Sequence, residues 1–206
     1  GDDFGYSVAL SGDTAVVGAR AADIDSKSNQ GAVYVFTRSG STWTMQSKLT
    51  TADGVAGDEF GYSVAYGAGT VLAGAYLADV DGKANRGAAY VFQLAGTAWE
   101  QRQKLTDSDG QANDQFGYSV SLSGDTVLVG APWDVGPRSN QGSACAFVLR
   151  DGAWVQQAKL TASDGGPADR FARSVAVSGD RALIGAHMAD IAGSIAHARM
   201  LGQQGI

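Results

Sequence analysis

A chain of 206 residues with 44% hydrophobic side chains can bury one sizeable core, and its 17% charged residues fall below the average of about 25%. The formal net charge of −6 argues against nucleic acid, which needs a basic surface, and no run of eighteen apolar residues is present to span a bilayer. The 29 glycines against three prolines are unlike a disordered Pro/Gly linker, and the single cysteine, Cys145, excludes a disulfide within the chain.

The chain opens with DDFGYSVALSGDTAVVGA, which returns as DEFGYSVAYGAGTVLAGA and DQFGYSVSLSGDTVLVGA. Phe4, Phe60, Phe116 and Phe171 stand 56, 56 and 55 residues apart, so the repeat governs the reading. Each copy predicts a first strand after its phenylalanine and a tight turn such as SGDT at Ser11 to Thr14, whose glycine suits a hairpin. A second strand follows, TAVVGA or TVLVGA, apolar enough to be buried on both faces and ending in Gly18-Ala19, Gly74-Ala75, Gly130-Ala131 or Gly185-Ala186. The third strand is GAVYVF, GAAYVF or GSACAF, starting at Gly31, Gly87 and Gly142, with Cys145 as a buried small residue. The fourth runs from tryptophan to Lys-Leu-Thr, and its alternation puts Trp43, Met45 and Leu49 on one face. The copies span about 1–50, 57–106, 113–161 and 168–206 of a single domain, or of part of one. The last is incomplete, with Ala172 for glycine, Arg173 for tyrosine and no Trp…Lys-Leu-Thr run. That leaves strands in groups of four, four, four and three, with no helical periodicity.

Four antiparallel strands per repeat of this length fit a β-propeller blade, so the expected fold is an all-β propeller of about four four-stranded blades. Phe-Gly at positions 4, 60 and 116, Gly-Ala at a fixed offset, and the full Gly130-Ala131-Pro132 resemble the FG-GAP repeat. That resemblance implies blades like those of integrin alpha-subunit propellers and bacterial extracellular proteins, hence an extracellular or cell-surface adhesion module. Three arrangements stay open: a closed four-bladed ring, part of the seven-bladed ring usual in that family, or two chains completing one ring. The chain starts inside a repeat, so either a leader has been removed or the sequence is a fragment. An unfinished last blade leaves an edge for a partner strand, including one from a second copy.

Short turns fall on one side of such a propeller and long loops on the other, which makes the long-loop side the expected binding face. Acids concentrate there: Asp2, Asp3, Asp53, Asp58, Glu59, Asp107, Asp109 and Asp114. Such a field favours cations or a basic partner. The calcium loop that the resemblance implies between strands one and two is replaced by three-residue turns, too short to converge several oxygens. Asp23 with Asp25 and Asp79 with Asp81 remain candidates for calcium, each pair followed by a lysine, Lys27 or Lys83, where a third oxygen would belong. Asp58 and Asp114, with Asp53 and Asp109, are ligand candidates whose competing role is hydrogen bonding to turn backbone. Tyr6, Tyr62 and Tyr118 recur at one position and read as packing, whereas Trp133, beside Asp134, occurs once in a long loop and is the preferred aromatic platform.

Enzyme signatures are weak. The histidines, His187 and His197, both lie in the irregular fourth copy, and no Gly-x-Ser-x-Gly elbow is present. The expectation is a non-catalytic module, without a required cofactor, that offers its acidic long loops to a protein or glycan. A structural subunit whose last blade is completed by another chain is the first alternative. A hydrolase pairing carboxylates such as Asp58 and Asp114 across blades is the second.

Overall fold

The computed structural model describes residues 1–135 and 140–186 in full and the backbone of 196–199. Its fifteen strands form one four-stranded sheet per repeat, and the last repeat contributes three. The first blade holds β1 (Phe4–Ser11), β2 (Thr14–Ala19), β3 (Ala32–Ser39) and β4 (Thr42–Leu49). The second holds β5 (Ser63–Gly67), β6 (Thr70–Ala75), β7 (Ala88–Ala95) and β8 (Ala98–Leu105), and the third β9 (Ser119–Ser123), β10 (Thr126–Ala131), β11 (Ser143–Arg150) and β12 (Ala153–Leu160). The fourth holds β13 (Ser174–Ser178), β14 (Arg181–Gly185) and β15 (Ala196–Arg199). Strands pair antiparallel in sequence order within each sheet, giving the expected all-β propeller of about four blades.

Each blade has two faces, and burial comes from stacking one blade's trailing face on the leading face of the next. Val16, Val33, Val35 and Leu49 of the first blade pack on Phe60, Val71, Ala73, Tyr90 and Phe92 of the second. Leu72, Ala89, Val91 and Leu105 repeat this against Phe116, Val127, Val129 and Phe147. The Phe-Gly anchor is the hinge pin of each junction. Phe60 and Phe116 are buried, and their N–H groups donate to Gln30 O and Arg86 O of the preceding blade, both at 2.9 Å. Full burial of such a ring stabilises by about 1.5–3 kcal/mol.

The glycines serve close approach. A Cβ on Gly74 would lie 1.9 Å from the carbonyl oxygen of Gly117 in the next blade, which also accepts a 2.8 Å hydrogen bond from Ser63 Oγ. Gly18 with Ser7 and Gly130 with Ser119 hold the carbonyls of Gly61 and Ala172 in the same way. The repeated Phe-Gly…Gly-Ala pattern thus encodes a plug, the carbonyl after phenylalanine, and a socket, the serine–glycine pair of the blade before it.

The outer strand corrects one expectation. Val35 pairs with Ser47 but Phe36 pairs with Met45, so Gln46 is a β-bulge, repeated at Arg102 and Gln157. An extra residue inverts the two-residue alternation. Trp43 and Met45 therefore lie on the leading face and are exposed, while Leu49 is buried on the trailing face. The second strand is buried on both faces only where both neighbours exist: β6 is buried throughout, and β2 is partly open.

Candidate functional site

The ends of second strands and the starts of first strands lie at one rim, where the loops joining β2 to β3, β6 to β7 and β10 to β11 meet those joining one blade to the next. Their acids are largely tied to their own loops. Asp23 accepts a hydrogen bond from Asn29 N–H at 2.8 Å, and Asp79 accepts one from Asn85 N–H at 2.9 Å. Asp25 and Asp81 adopt positive φ and are exposed, and Asp81 ion-pairs with Arg86. Lys27 and Lys83 reach across to the next inter-blade loop and donate to Gly54 O and Gly110 O at 2.6 and 2.7 Å. These lysines are staples between two loops. Among the described residues, no three His, Cys, Asp or Glu side chains converge as a metal site. His187 and the His197 side chain lie outside the described residues.

Asp58 and Asp114 are buried, and each closes its loop by accepting a backbone N–H, from Val55 at 2.8 Å and from Gln111 at 2.5 Å. Burial pushes both carboxyls up, and Asp114 reaches about 6, with nearby Asp134 and Asp107 adding to the rise against the Gln111 N–H and Lys159. A carboxyl raised from 3.8 to about 6 holds its proton longer in the folded chain. Its contribution to stability is therefore present below pH 4 and is lost as pH rises through 6. Asp114→Asn keeps an acceptor for Gln111 and removes the charge. The variant's stability relative to wild type should thus rise between pH 4 and 6.5, by about 1–3 kcal/mol, in urea titrations at several pH values. A difference that stays flat with pH would refute the assignment.

Asp134 belongs to a second arrangement, at the junction of the second and third blades. Lys159 Nζ lies 2.8 Å from Asp107, 2.6 Å from Asp109 and 2.6 Å from Asp134, and Ser143 Oγ donates to Asp134 at 2.5 Å. Asp107 and Asp134 are only 1% and 5% exposed. At the previous junction the matching positions hold Thr51, Ala78, Ala88 and Tyr90, so Tyr90 fills the space there and Lys104 lies over its ring and ion-pairs with the single carboxylate of Asp53. Cys145 stands where Tyr90 does, and the smaller side chain leaves room that the ionic cluster occupies. The cysteine is buried as expected, and burial raises its thiol well above the ordinary range. Every carboxylate here is engaged by Lys159, which makes the cluster a structural clamp.

The aromatic residues behave differently. Tyr6, Tyr62 and Tyr118, one from each of three blades, lie side by side with ring centroids 4.9 Å apart at both steps. Tyr76 packs on Tyr62 at 4.1 Å, and Trp133 meets Tyr118 edge-on at 5.1 Å. Arg20 lies over the Tyr6 ring at 4.4 Å, held by Asp3 at 2.8 Å and Glu59 at 2.7 Å, while Arg170 lies over Trp133 at 5.2 Å. Tyr6 is 48% exposed, and Tyr62, Tyr76, Tyr118 and Trp133 are half-buried. Burial and then the neighbouring hydroxyls of Tyr118 and Tyr6 keep the Tyr62 phenol protonated far above its usual range. Burial and Glu59 push Tyr76 up to about 12. Tyr62 and Tyr76 thus stay uncharged at ordinary pH, and the ladder is edged by the guanidinium groups of Arg20 and Arg170. Trp133 was the preferred aromatic from sequence. Recurrence at a fixed position predicts packing for the tyrosines, and they do pack on one another across three blades. The signal for them was their place beside the glycine plug, where the chain passes the rim of the face.

The FG-GAP repeat family profile matches residues 1–36, 43–92, 99–147 and 154–197, which is most of the chain. Among solved structures, Saccharomyces cerevisiae Sqt1 is similar, with a TM-score of 0.48 and 10% identity over 78% of this chain and 36% of that one. The chain therefore spans little more than a third of that structure. No curated protein matches in sequence.

Proposed function

The chain belongs to the FG-GAP repeat family, and from that premise we propose that it is a non-catalytic extracellular recognition module that binds a protein ligand through its long-loop face. The ladder Tyr6–Tyr62–Tyr118–Trp133 with Arg20 and Arg170 carries this reading. Tyrosine, tryptophan and arginine dominate the energetics of protein interfaces, since they offer large rigid contact area at low entropic cost. The rings are held by one another and by ion-paired Arg20, so little order remains to be gained on docking. Around them the loops are stapled by Lys27 and Lys83 and closed by Asp58 and Asp114, which keeps the surface in one shape. The same engagement supports the non-catalytic reading, because Asp58 and Asp114 are buried and each commits one carboxylate oxygen to closing its own loop.

The test is capture on arrays of purified matrix proteins, cell-surface proteins and glycans, followed by interferometry on each ligand retained. Tyr118→Ala and Tyr62→Ala should weaken binding at least tenfold, about 1.4 kcal/mol, while Val155→Ser on the far outer strand leaves it unchanged. Wild-type affinity in both tyrosine variants would overturn the assignment of the ladder. Retention on glycans alone would make the ligand a carbohydrate.

A further inference from the structure

The rim of the long-loop face changes sign along the tyrosine ladder. The residue before each anchor phenylalanine is Asp3, Glu59, Gln115 and Arg170 in the four repeats. All four adopt positive φ, so one and the same point of the rim passes from acid to base. The residue two places after the anchor is Tyr6, Tyr62, Tyr118 and then Arg173. The fourth repeat thus places two guanidinium groups where the earlier repeats carry acidic or neutral side chains.

The charges at these places are engaged differently. Asp3 and Glu59 are both committed to Arg20, at 2.8 and 2.7 Å. Arg170 lies over the Trp133 ring at 5.2 Å and Arg173 over the Tyr118 ring at 5.9 Å, and these two rings meet at 5.1 Å. Among the described residues, no carboxylate ion-pairs with either arginine. Asp169, the neighbour of Arg170 in the chain, accepts the Gly166 N–H instead. A guanidinium resting on an aromatic face keeps N–H donors for a carboxylate, which it meets in bidentate fashion. The place is open because it lies at the rim. Tyr62 and Tyr118 are only half-buried at the same position with a blade on each side, so the access of Arg173 does not depend on what flanks the fourth blade.

We propose that Arg170 and Arg173, with Trp133 and Tyr118, form a subsite for acidic side chains, so that the protein ligand lays an acidic segment across this part of the ladder. The proposal rests on the reading of the ladder as a docking surface and gives its ligand a charge. Charge complementarity carries it. Acids dominate the sequence of this face, yet Asp3 and Glu59 are held by Arg20, Asp53 by Lys104, and Asp107 and Asp109 by Lys159. The charge left without a partner beside the ladder, among the described residues, is the arginine pair. At net −6 the chain as a whole repels anions, so capture of an acidic segment reports this local pair and not general adsorption.

Interferometry on immobilised poly-L-glutamate tests this, with heparin as the sulfated-glycan counterpart. The double variant Arg170→Gln/Arg173→Tyr carries the residues that the third repeat has at the same two places, Gln115 and Tyr118, so the fold already accepts them. Wild type should capture poly-L-glutamate with an affinity that falls as salt rises. The double variant should bind at least tenfold more weakly, while Val155→Ser on the outer strand binds as wild type does. A wild type that captures no poly-L-glutamate, a double variant that captures it as well as wild type, or capture of heparin alone would each overturn the proposal. None of these outcomes uses the array ligands, so the tyrosine variants judge the ladder separately.

Discussion

Gly74→Ala should lower the stability of the propeller by about 3–5 kcal/mol, and Gly185→Ala by about 1 kcal/mol or less, although the two glycines occupy the same place in their repeats. At Gly74 the new methyl would lie 1.9 Å from a backbone oxygen and 2.5 Å from Ser63 Oγ. The second and third blades must then separate. Overpacking of this kind costs about 1–3 kcal/mol, and loss of the Ser63 hydrogen bond and the surrounding contacts adds to it. At Gly185, among the described residues, the close atom is the Ser174 hydroxyl, 2.4 Å away, and a serine rotamer can turn aside. Neither glycine needs positive φ, so the intrinsic gain from replacing glycine in a strand is shared and cancels in the comparison. Urea midpoints of both variants measure the difference. Because stacked blades can unfold stepwise, tryptophan fluorescence and circular dichroism should be followed together. Equal midpoints for the two variants would refute the plug-and-socket account of the junctions.

Lys159→Met should cost about 3–5 kcal/mol, against about 1 kcal/mol or less for Lys104→Met. Lys159 is the cation shared by Asp107, Asp109 and Asp134, two of which are almost wholly buried. Removing it leaves those carboxylates uncompensated in a poorly solvated junction, the costly way to break a buried ion pair. Lys104 ion-pairs with Asp53, whose side chain is 47% exposed, and lies over the Tyr90 ring at 5.5 Å, so no buried carboxylate is stranded and water and salt replace most of what is lost. Thermal and urea denaturation of the two variants at neutral pH settle the comparison. A Lys159 variant as stable as the Lys104 variant would mean that the cluster does not clamp the junction.

The two pairs of predictions share a lesson about repeats. Phe60, Gly74 and Lys104 can be aligned by eye with Phe4, Gly18 and Lys48, and the strands and blades follow from that alignment because stacked repeats bury the same periodic positions. The Gln46 bulge was not legible, since nothing in WTMQSKLT distinguishes a strand with one extra residue from a regular one. The ionic cluster left a trace. Asp107, Asp134 and Cys145 break the pattern set by Thr51, Ala78 and Tyr90, and polar residues at core positions of a repeat are a reason to look for a partner. Finding Lys159 as that partner required the fold, which brings Asp107 and Asp134, 52 and 25 positions before it, to within hydrogen-bonding distance. The tyrosine ladder was legible as a recurrence and illegible as a surface.

By itself, the sequence determined the strand content and the blade period, because these depend on patterns repeated within about 56 residues. Only the tertiary structure decided which copies of that pattern are satisfied. Phe4 and Phe60 share a motif, yet one is 58% exposed and the other fully buried. Burial belongs to the contact between blades, which the repeated pattern alone does not specify.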